Sequence, residues 1–102
     1  QAALRSVTLS GFERVVVNTR FERTKEQLSG KDIYRSDTDD GYFIFWCQTA
    51  GAAVQHRRWV IAASSDESEV RRGKCKGVAR APEDHDVLDP LVVGWEEWQD
   101  GH

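Results

Sequence analysis

The sequence predicts an all-β fold: a small antiparallel meander, sandwich or partly closed barrel of about six to eight short strands. Three observations carry that prediction. Runs rich in β-branched and aromatic residues recur with turn residues between them, at intervals of about eight to twelve residues. No helical pattern is long enough to act as the crossover of a parallel sheet. The stretch GYFIFWCQ, residues 41–48, puts Tyr42, Ile44 and Trp46 on one face of a strand and Phe43, Phe45 and Cys47 on the other. Such a strand needs cover on both faces.

Taken in order, LRSVTLSGF alternates apolar and polar residues and reads as a strand ending at Gly11. RVVVNTRFE, rich in valine, is a second strand broken near Asn18. RTKEQLSGKD is polar and ends in Ser-Gly, so it reads as a loop, with a helical turn over Lys25–Leu28 as the alternative. DIYR is a short strand, and SDTDDG is a turn cluster with Asp40-Gly41 at a hairpin tip. The aromatic segment is the central strand. TAGAAVQH is a small-residue loop, and RRWVIAAS is a strand with Trp59 and Ile61 on one face. SDESEVRRGKCKG is charged and exposed, with a capping-box pattern from Ser64 to Glu67. GVARA is a short strand stopped by Pro82, PEDHDVLDP an acidic link, and LVVGWEEWQ the last strand or turn. One face of the central strand is expected to meet Trp59, Ile61 and the valines at 15–17. The other is expected to meet the chain end, through Trp95 or Trp98.

The 102 residues make one domain, spanning 1–102, with a module core at about 10–101. A hydrophobic fraction of 39% beside a charged fraction of 30% suits a folded chain with a modest core. The net charge of −3 argues against general nucleic-acid affinity, which rests on cationic contacts to phosphate. No apolar run reaches the length of a membrane helix, so the chain has no membrane span of its own; peripheral association is left open. The sequence contains no Met, so Gln1 is not an unprocessed start, and a processed product or a piece of a longer chain is expected. For the two cysteines, Cys47 and Cys75, a buried thiol and a loop thiol are favoured over a disulfide.

The order of residues resembles a small β-rich module found, often in tandem, in proteins of algae, dinoflagellates and other protists. The likeness is carried by Gly11, by VVVNTRFE with Asn18 and Phe21, and by SGKDIYR with Gly30 and Tyr34. It continues through DGYFIFWC, RWVIA, GVARA with Pro82, and GWEEW. It covers about Ser10 to Gly101. It departs at Thr19, where the module has Gly, and at Asp32, where it has Pro; the first bears on the turn at Asn18, because Gly reaches positive φ where Thr does not. The resemblance brings no catalytic residues and no assigned activity. It implies a scaffold or binding module.

No catalytic, cofactor or metal motif stands out. In DTDDG the Gly arrives one residue early for a calcium loop, and Gln48 occupies the twelfth position, so a hairpin turn is the better reading. His56, His85, Cys47 and Cys75 have no paired ligand spacing. His85, among the carboxylates of EDHD, reads as a solvated loop histidine. Cys75 is flanked by Arg71, Arg72, Lys74 and Lys76, which would favour a thiolate, yet a plain exposed loop outweighs a reactive cysteine. The same four cations are candidate contacts to an anionic partner, with QHRR as an extension. Trp46 and Trp59 read as core. Trp95 and Trp98, around Glu96 and Glu97, form the candidate contact edge.

Three functions are ranked. The first is a non-enzymatic module that docks onto protein partners in a larger assembly; an accessory subunit of an organellar membrane complex in a protist, in plastid or mitochondrion, is the finer guess from the resemblance. It predicts an apolar patch left open on the chain. The second is a glycan- or peptide-binding module using exposed aromatics. The third is a small enzyme with Cys75 or His85 as its reactive group.

Overall fold

The computed structural model describes residues 5–13, 17–36, 41–48, 57–73, 75–82 and 95–97. The expected antiparallel all-β fold is present. Seven strands form one sheet: β1 (Ser6–Thr8), β2 (Arg20–Leu28), β3 (Lys31–Ser36), β4 (Tyr42–Gln48), β5 (Arg57–Ala63), β6 (Ala79–Arg80) and β7 (Glu96–Glu97). Each pairs antiparallel with the next in sequence, and the sheet curls into a half-barrel. Between β5 and β6 lie a 3-10 turn (Ser64–Asp66) and a five-residue helix, α1 (Glu67–Arg71).

β4 is the central strand, as its aromatic content predicts, and it pairs with β5 along its full length, from Tyr42↔Ala63 to Gln48↔Arg57. On the inside of the curl, Ile44 and Trp46 meet Trp59 and Ile61 of β5, Tyr34 of β3, Phe21 of β2 and Val7 of β1. Leu9, Phe12 and Val17 close this cluster, and Val15 and Val16 lie outside the described residues. Trp59 stands edge-on to Trp46 and Tyr34, with ring centroids 5.4 and 6.1 Å apart. Edge-to-face rings match the positive edge of one π-system to the negative face of another.

On the outer face, Phe43, Phe45 and Cys47 pack with Ile33, Val60 and Ala62 beneath Val70 of α1, with Leu28 and Cys75 half-buried at the margin. Of the two expected covers, Trp95 is not there, and Trp98 lies outside the described residues. Trp95 sits on the inner side, edge-on to Phe12 at a centroid distance of 5.7 Å. The helix takes the place because Val70 is buried under an otherwise charged segment. A disulfide joins Cys47 to Cys75, with Cα atoms 5.6 Å apart, where two thiols were favoured. The chain beyond α1 returns across the outer face of β4, and this brings the cysteines together.

Two local readings need correction. Residues 20–22 are in a strand as expected, but that strand runs on through Arg23–Leu28, which the sequence reads as a loop. Leu28 pairs with Lys31 across Ser29 and Gly30, whose φ values of 55° and 83° make the two-residue hairpin turn that suits the twist of paired strands. Between Arg23↔Tyr34 and Gln27↔Asp32, residues 24–26 of β2 oppose the single residue Ile33, a bulge with two extra residues. The Thr24 hydroxyl stitches it, donating to the Ile33 carbonyl at 2.7 Å and accepting the Glu26 N–H at 3.1 Å. The capping box does not form either. Asp66 is the N-cap of α1 and makes no side-chain cap, while the Ser64 N–H donates to the Gly41 carbonyl at 2.6 Å. The helix stops at Gly73, in the left-handed region at φ 97°, with its N–H on the Val70 carbonyl.

Thr19 is outside the left-handed region, so the turn at Asn18 does not use the glycine that the resembled module has there. Instead the Asn18 amide brackets Phe12, accepting its N–H at 2.9 Å and donating to its carbonyl at 2.8 Å.

Gly77 lies against β5 just before the Val78 N–H bonds the Ile61 carbonyl. A Cβ there would fall 2.5 Å from that carbonyl oxygen and closer still to Val60. Backbone cannot swing aside, so Gly77→Ala is expected to lower stability by about 1–3 kcal/mol, read from urea unfolding followed by Trp fluorescence. Cys75→Ser is expected to cost roughly 3–4 kcal/mol in the same assay, from the freed loop entropy of the unfolded chain. A Cys75→Ser midpoint equal to that of the parent would mean that the disulfide contributes nothing.

Candidate functional site

The basic segment 71–76, at the end of α1, is one of the two candidate contacts, and the structure shows where its described charges go. Arg71 reaches Glu67 on its own helix at 2.9 Å and Glu26 of β2 at 3.1 Å. Both carboxylates are also held by Arg35 of β3. Its Nε and Nη2 donate to Glu26 at 2.7 and 2.9 Å, and its Nη1 and Nη2 donate to Glu67 at 3.2 and 2.9 Å. Two guanidiniums and two carboxylates thus close a ring that ties α1 to the sheet, over the Phe43 side chain, which lies 5.5 Å beneath Arg35. Lys76 is taken by Glu69 at 2.8 Å and Asp66 at 3.5 Å. Arg72 is exposed and makes no ion pair among the described residues. Lys74 lies outside them, as does Trp98.

Trp95, the other described candidate, is half-buried against Phe12. Its edge is stitched by polar contacts: Arg80 Nε to Glu96 at 3.0 Å, and the Glu13 N–H to Glu97 at 2.9 Å. Trp46 and Trp59 are in the core, as expected. The Trp59 indole N–H is buried without a hydrogen-bond partner among the described residues. Cys75 is consumed in the disulfide, which removes it as a reactive thiol. His85, His56 and the DTDD turn lie outside the described residues.

The apolar patch expected of a docking module is not seen among the described residues. Among the described residues every apolar side chain is buried or half-buried. The open features are grooves. One, of about 340 Å³, lies beside the disulfide and is lined by Leu28, Phe45, Val70 and Arg72. The larger, of about 630 Å³, lies along β2 beside the start of β1, and its lining is polar: Arg5, Arg20, Arg23 and Lys25 with Glu22 and Asp32. None of these six is a candidate contact in the sequence. The polar run containing Arg23 and Lys25 reads as a loop, and only the strand and its bulge bring them beside Arg5 and Arg20.

Among the described residues no group of three or more His, Cys, Asp or Glu is placed to hold a metal ion, and no helix is long and apolar enough to cross a membrane. Comparison with protein-family models, curated proteins and solved structures yields no match.

The ring around Arg35 makes stability depend on pH. Hydrogen bonds from Arg35 hold the carboxyls of Glu26 and Glu67 below their ordinary value of 4.5, against the opposing effect of burial. A carboxyl whose pKa is lowered by folding adds stability that is whole above about pH 4.5 and is lost as the pH falls through the lowered folded value. The urea midpoint is therefore expected to fall below pH 4.5. Arg35→Gln should flatten that acid limb, and an unchanged slope would remove the ring as its cause.

Proposed function

We propose that the chain is a non-catalytic interaction module that docks onto a protein partner within a larger assembly. The observation that carries this reading is the β1–β2 groove, which gathers four cations and two carboxylates in a chain whose net charge is −3. An excess of one sign on an otherwise oppositely charged molecule sets orientation and encounter rate for a complementary surface. The apolar side chains among the described residues are taken up on both faces of the sheet, so the contact proposed is polar and not the open apolar patch expected of a docking module. A glycan platform has less support, because Trp46 and Trp59 are inside and Trp95 is half-covered. The finer reading, an accessory subunit of an organellar membrane complex, rests on the sequence resemblance.

The test is the size of the native particle. The protein purified gently from its source at low salt is expected to run in a complex well above its 11.6 kDa and to leave it as salt is raised. A folded monomer at formula mass under those conditions overturns the proposal.

A further inference from the structure

The interaction reading leaves the partner's chemistry open, and the β1–β2 groove narrows it. β1 pairs Ser6 with Glu22, and the Arg23 N–H donates to the Arg5 carbonyl at 2.7 Å. Beyond Arg23, β2 has a strand neighbour on one side only among the described residues, namely β3. The groove follows β2 from Arg20 to Gln27, a run that an extended chain of similar length, about 20 Å, would match.

Its charges are unequally occupied. Glu22 is met by Arg20 at 3.3 Å. Asp32 is met by Arg23 at 3.7 Å and accepts the Gln27 amide at 3.0 Å. Both carboxylates of the groove thus have partners within it. Arg5 and Lys25 have no carboxylate partner among the described residues, and both are exposed. The bulge sets this up, because it adds residues to β2 just where Lys25 sits.

We infer that this groove seats an extended acidic segment of the partner protein, whose carboxylates pair with Arg5 and Lys25. The inference rests on the interaction reading above. Charge complementarity selects the class. Guanidinium and ammonium groups with no acid beside them among the described residues are open to carboxylates, through charge-assisted hydrogen bonds. A densely charged phosphate polymer would meet Glu22 and Asp32 as well, which repel it, whereas a peptide spaces its acids and offers backbone N–H groups between them. An apolar segment finds no apolar side chain among the six charged groups that dominate the lining.

The probe is a fluorescein-labelled peptide of alternating Glu and Ser, set against a Lys-Ser peptide, inorganic polyphosphate and a short DNA duplex. The protein is expected to bind the acidic peptide best at low salt, with the affinity falling as salt rises. Arg5→Glu with Lys25→Glu should weaken binding about tenfold or more, while Arg5→Lys with Lys25→Arg retains it and Ser68→Glu, an added charge on the exposed side of α1, leaves it within about twofold. Near-ultraviolet dichroism and thermal midpoints confirm that the variants are folded. Absence of binding, equal loss in Ser68→Glu, or tighter binding of polyphosphate or DNA overturns the inference. If the groove fails in this way while the native chain still runs in a large complex, the interaction reading stands and the groove is not its contact. If the native chain runs alone, that reading itself has failed.

Discussion

Strand β4 has no face to give to water. Phe43 and Phe45 point one way, Ile44 and Trp46 the other, and all four are essentially inaccessible. Burial of each is worth roughly 1.5–3 kcal/mol, a large share of the net stability of a small domain, so the rest of the molecule is arranged around covering both sides. A flat sheet of this size covers neither. The inner side is met by curling, which lets β1, β2 and β3 on one flank and β5 and β6 on the other fold over Trp46 and Ile44. The outer side is met by one turn and a half of helix carrying a single buried valine. So slight a cover is held by other means: the disulfide on one margin and the Arg35–Glu26–Glu67–Arg71 ring on another.

The features legible in the sequence are those with a hydrophobic signature. β4 and β5 announce themselves by continuous apolar runs, β3 by Ile33 and Tyr34, and the all-β class by their spacing. β2 carries no such signature, since within Arg20–Leu28 only Phe21 is fully buried. It is a strand because β1 and β3 supply its ladders and Ser29-Gly30 supplies its turn, and neither cause lies in the composition of the segment itself. The Ser-Gly pair is the signal that was available. Its reading as the end of a loop fails because the flanking residues are polar. The disulfide was hidden for a related reason. Cys47 and Cys75 are 28 residues apart, and their approach depends on a return path after α1 that no local pattern describes. The candidate cations show the same limit. Arg71 and Lys76 stand in a basic run yet are matched with acids, whereas Arg5 and Lys25 stand in no run at all and have no carboxylate partner among the described residues.

This division of labour between apolar and charged residues sets the character of the surface that the described residues offer. With their apolar side chains buried or half-buried, what remains exposed among them is mainly hydrogen-bonding and ionic chemistry. Such contacts are individually weak and strongly dependent on geometry and salt. They favour recognition that is selective in orientation over recognition that is tight.

The strictly sequential strand order has one further consequence. Every ladder in the sheet joins neighbours in the chain, so no strand has to wait for a distant one or be inserted between two already paired. The relative contact order of such a meander is low for a β protein, and the cost in chain entropy of each closure is small. As the polypeptide emerges during synthesis, β1 to β4 can assemble in turn while the remainder is still being made. What they cannot yet do is cover the outer face of β4. That waits for Val70 and Cys75, so the interval between the completion of β4 and the arrival of α1 is when Phe43 and Phe45 stand open to adventitious association.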